Sequence, residues 1–101
     1  MDELKQLTHD IWDELMGARH YAELSMKHRD TDATAAHMYA DMARAEMGHA
    51  ENLMKEADRT VSAHKAKNME HGKMLELVWN WEKDKLHDHF AKTKSLVEMA
   101  K

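Results

Sequence analysis

Leu4, Leu7, Ile11, Leu15, Ala18, Ala22 and Met26 recur at steps of three and four residues. That is the spacing of one face of an α-helix, and it predicts a helix over 2–29. The stretch HRDTDAT then breaks the period with polar residues, among which Thr31 or Asp32 is placed to cap a second helix. The second pattern predicts a helix over 33–58 whose face reads Ala35, Tyr39, Met42, Glu46, His49, Leu53 and Ala57. Periodicity weakens through RTVSAHKAKNMEHG, which reads as a kinked or short helical segment over 60–70 with Gly72 as the break. Leu75, Val78, Trp79, Leu86, Phe90 and Val97 then mark the buried face of a last helix over 73–100. The short first connection predicts an antiparallel hairpin. No repeat, linker or low-complexity tract divides the chain, so 1–101 is expected to be a single all-α domain of three helices.

Composition sharpens this picture without altering it. The 101 residues include no proline and three glycines, and Ala, Leu, Met, Glu and Lys are abundant. A chain of this length can bury a core but has little area to spare, which favours self-association. Net charge is −4 with neutral histidines, and no basic block occurs, so nucleic acid and anionic membrane are not the expected partners. No apolar run approaches the ~20 residues of a membrane span. The acidic, amphipathic MDELKQL start is unlike a secretory signal, and a cytoplasmic location is expected. With no cysteine, disulfides, thiolate sites and iron–sulfur clusters are excluded. Any metal site has to come from His, Asp and Glu.

Three polar residues interrupt the apolar stripes. Glu14 follows Ile11 by three and Leu7 by seven, and Glu46 and His49 stand three apart on the second helix. An unpaired buried carboxylate costs several kcal/mol, so each needs a cation, a donor or a proton. Most other glutamates have a lysine or arginine three or four residues away, as Glu23 has Lys27 and Glu56 has Arg59; Glu3 lies in a first turn, where the helix dipole favours it. Glu14 and Glu46 have neither. A divalent metal shared by Glu14, Glu46 and His49 accounts for all three. Gly17 and Gly48 within the helices read as places of close helix approach.

These residues resemble the rubrerythrin branch of the ferritin-like superfamily. Glu14, Gly17 and Tyr21 look like that family's first helix. YADMARAEMGHAENL, with Tyr39, Ala43, Glu46, His49 and Ala50, looks like its aromatic-x6-Glu-x-x-His-Ala second helix. The match runs from about Leu4 to Leu53. A second Glu-plus-Glu-x-x-His pair is absent, as is a cysteine-bearing rubredoxin segment; in size the chain is closer to encapsulated ferritins, although no cargo-type tail is recognised. The resemblance implies a homodimer or higher homo-oligomer in which two ferritin-like hairpins form a four-helix bundle. Its di-iron site, manganese being possible in place of iron, would lie at the dimer interface. There Glu46 would bridge the ions, Glu14 and His49 would be terminal ligands, and Tyr21 and Tyr39 would hydrogen bond beyond the ligands. The expected activity is iron(II) oxidation or peroxide reduction.

Two simpler readings stand beside this one. A Glu-x-x-His match arises readily by chance among ten glutamates and nine histidines, and a Glu14–His49 or Glu46–His49 hydrogen bond is the bland alternative. At the level of function, the alternative is a non-catalytic helical interaction module with a degenerate ferritin-like fold. His20, His28, His37, His64, His71, His87 and His89 read as solvated or rim residues. Methionines read as adaptable core filler, and Trp12, Trp79 and Trp81 as packing or interface anchors.

Overall fold

The computed structural model describes residues 2–100, which form three helices: α1 (Asp2–His28), α2 (Ala33–Lys67) and α3 (Met69–Met99). Asp32 caps α2, its side chain accepting the Ala35 backbone N–H at 3.1 Å. α1 and α2 form an antiparallel hairpin, and α3 packs back along one side of it. No helix among the described residues is long and apolar enough to cross a membrane.

The second connection differs from expectation. α2 continues to Lys67, and Gly72 lies inside α3 and is buried. The whole joint is Asn68. Its N–H donates to His64 O at 2.9 Å, ending α2, and its side chain accepts the His71 N–H at 3.1 Å, starting α3. α2 persists because Thr60 and Val61 reach the core, an anchor that the weak apolar pattern conceals. Gly72 serves close packing at this corner: a Cβ there would lie 2.3 Å from Lys65 Cα.

Ile11, Leu15, Ala18 and Ala22 of α1 meet Ala40, Ala43, Met47, Ala50, Ala57 and Val61 of α2 and Leu75, Trp79, Leu86 and Val97 of α3 in one core. The buried stripe of α2 is therefore displaced round the helix from the predicted one, and Met42 is exposed. Val78, expected to be buried, also faces out. Trp79 Nε1 donates to Asp58 Oδ1 at 2.8 Å, and Lys83 Nζ donates to the same oxygen at 2.9 Å. Burial pushes the Asp58 carboxyl up, but these two donors outweigh it and hold the group below its ordinary range. At the other end of α3, Ser25 Oγ lies 2.7 Å from Ala36 O and 2.9 Å from Ala100 O, and Arg29 donates to Met99 O at 2.5 Å. The last carbonyls of α3 thus find partners.

Candidate metal centre

The antiparallel hairpin brings the three polar intruders level. Glu14 lies about four turns before the end of α1, and Glu46 and His49 lie about four turns after the start of α2. One ligand atom from each of Glu14, Glu46 and His49 lies within 4.8 Å of the others. His49 Nδ1 stands 3.3 Å from Glu14 Oε2, in position to donate to it. Metal–ligand bonds of about 2.0–2.2 Å set neighbouring ligand atoms roughly 3–4 Å apart, so small rotamer changes would close this set on an ion.

Gly17 makes the arrangement possible. A Cβ on it would lie 3.0 Å from Glu46 Oε2 and 3.3 Å from Glu46 Cδ, so the carboxylate of α2 rests against the bare backbone of α1. The close approach expected at Gly17 is present and is made by a side chain. At Gly48 it is not: a Cβ there meets nothing within 4 Å, because that position faces away from the rest of the chain.

The electrostatics are those of crowded acids. Glu46 is pushed up to about 7, chiefly because protonation lets it share a hydrogen bond with Glu14, with burial and the Glu14 charge adding to the rise and His49 opposing it. Two carboxylates this close favour either a proton or a cation between them.

The expected inward orientation needs correction. The Glu14 side chain is 27% exposed and that of His49 58% exposed. In α1 and α2 the residues that meet α3 include Trp12, whose ring lies 4.0 Å from that of His89, and Asp58. By helical rotation, Glu14, Glu46 and His49 lie on the opposite side of the hairpin. The centre therefore opens on the face that α3 leaves uncovered.

Tyr21 and Tyr39 sit on the same face, two turns nearer the α1–α2 connection, and stack on each other with ring centroids 6.2 Å apart. His28, seven residues beyond Tyr21, extends the row by stacking on Tyr39 at 5.6 Å, a role its heptad spacing signals and the sequence reading missed. A second acidic–imidazole group, His9, Asp10 and Asp13, lies along α1 alone, with His9 Nδ1 3.5 Å from Asp13 Oδ2. It is a solvated helical ion pair and involves no second helix. No protein-family model, curated protein or solved structure matches the chain.

Proposed function

We propose that the chain is a ferritin-like di-metal carboxylate protein. Two copies would join the uncovered faces of their α1–α2 hairpins into a four-helix bundle around iron or manganese. The convergence of Glu14, Glu46 and His49 from two helices carries this reading. It is supported by a donor set of two carboxylates and one imidazole, which suits those metals, and by the position of the set on a face with room for a second hairpin. Glu14, Glu46 and His49 are the residues that would hold the metal, with the Glu46 carboxylate available to be shared between ions and Glu14 and His49 to complete each one. Bound metal would supply redox chemistry toward oxygen or peroxide. The chain itself orients His49 through Glu14 and keeps space for Glu46 at Gly17.

The test is native mass spectrometry of protein purified aerobically with added iron(II). Two metals per dimer are expected, and their loss on combining Glu46→Ala with His49→Ala. An unloaded protein, or metal content indifferent to those changes, would overturn the proposal.

The Glu14–His49 contact favours a second reading, because it gives both groups a partner without an ion. In that case the protein is a non-catalytic helical interaction module. Its melting temperature would then ignore chelator and iron(II), whereas binding to the native state raises it.

A further inference from the structure

α3 carries a second apolar stripe that the core does not use. Met74, Leu77, Val78 and Trp81 are 68, 71, 39 and 63% exposed and recur at i, i+3, i+4 and i+7. Leu75, Trp79 and Leu86 face the core, and the exposed four lie on the far side of the helix. Isolated exposed apolar residues are ordinary; four in helical register, three of them large, form a seam.

The charges around the seam select its occupant. Laying α3 antiparallel to itself about a dyad between Leu77 and Val78 puts Met74 opposite Trp81 and Leu77 opposite Val78. The same placement sets Glu70 against Lys85 and Lys73 near Asp84, each pair opposite in sign. A parallel arrangement would instead set every charge against its like. All four of these charged residues are exposed, and Lys85 already leans over the Trp81 ring, its Nζ 3.4 Å from the centroid. From Glu70 to Lys85 the seam is about 22 Å long.

We propose that the outward face of α3 is a self-association surface, on which two copies pair their third helices antiparallel through Met74, Leu77, Val78 and Trp81. This surface lies away from Glu14, Glu46 and His49 and is independent of the metal reading.

The experiment uses the full chain in excess chelator, followed by sedimentation equilibrium. A concentration-dependent dimer is expected, and Trp81→Glu should raise its dissociation constant by about tenfold or more. Because Trp81 is exposed, the helical circular dichroism should not change. Glu70→Lys should weaken the dimer, and adding Lys85→Glu should restore it. Orientation is read separately by disulfide formation, which the cysteine-free sequence makes unambiguous. Glu70→Cys mixed with Lys85→Cys should cross-link as a mixed dimer, while neither should cross-link alone, since like positions lie about 22 Å apart along the axis. A monomer at high concentration, a dimer indifferent to Trp81→Glu, or self-linking of the single variants would overturn the proposal. So would a partner other than the chain itself as the sole ligand of this face.

Discussion

The two faces of the α1–α2 hairpin are built on different rules. Toward α3, Ile11, Leu15, Ala18 and Ala22 oppose Ala40, Ala43, Met47 and Ala50, nearly all fully buried, with no ionisable group among them. On the opposite face, Glu14, Gly17, Tyr21, Tyr39 and Glu46 are half-buried and His49 is exposed. One face holds the helices together, and the other holds charges at a distance only a proton or a cation relieves. The contrast shows why polar residues survive here: they are placed where solvent, an ion or a second copy can still reach them, rather than in the core.

The largest test of this contrast compares neighbours in sequence. Leu15→Ala should cost about 2–5 kcal/mol by opening a cavity, seen as a fall in the urea midpoint. Glu14→Gln, one residue away, opens no cavity and removes the charge that faces Glu46, so at pH 7 the metal-free chain should be no less stable. Equal losses would erase the distinction between the faces.

Next in size is the pH response of the metal-free chain. Glu46 titrates near 4.5 when unfolded and near 7 when folded, so the folded chain holds more protons between those values. Its contribution to stability is therefore full below about pH 4.5 and lost as pH rises through 7, by an amount on the order of 2 kcal/mol after screening. Glu46→Gln should remove that component, leaving the variant the more stable at pH 8 although it binds metal worse. Denaturant titrations of both proteins from pH 4 to 8 measure the difference.

The smallest effects separate the glycines. Gly48→Ala enters open space on a helix and should stabilise the metal-free monomer by up to about 1 kcal/mol. Gly17→Ala gains the same propensity but pushes on the Glu46 carboxylate, so its stability should change little while iron affinity falls. If both glycines gave the same melting shift and the same metal content, the special role of Gly17 would be lost.

The helix class, the hairpin and the convergence of Glu14, Glu46 and His49 were legible because periodicity records which side chains share a face. The core side of α2 was less so. Ala40, Ala43, Ala50 and Ala57 carry little hydrophobic signal, and the stronger Tyr39, Met42 and Leu53 drew the predicted stripe round to the uncovered face. The glutamates' ion-pair partners were only partly readable, since Glu23 pairs with Arg19 and Glu76 with Lys65 across the corner. Gly72 was misread for a related reason: a glycine admits either a chain break or a tight crossing, and only the proximity of Lys65 distinguishes them.

Asn68 sets more than a corner. With a single residue between two long helices, there is no slack to absorb a change in length. A residue inserted in the first turn of α3, just after Asn68, would turn everything beyond it by about 100° relative to that cap. That rotation would swing Trp79 out of its socket and Trp81 round toward the hairpin. The phase of an entire helix is thus held by one asparagine.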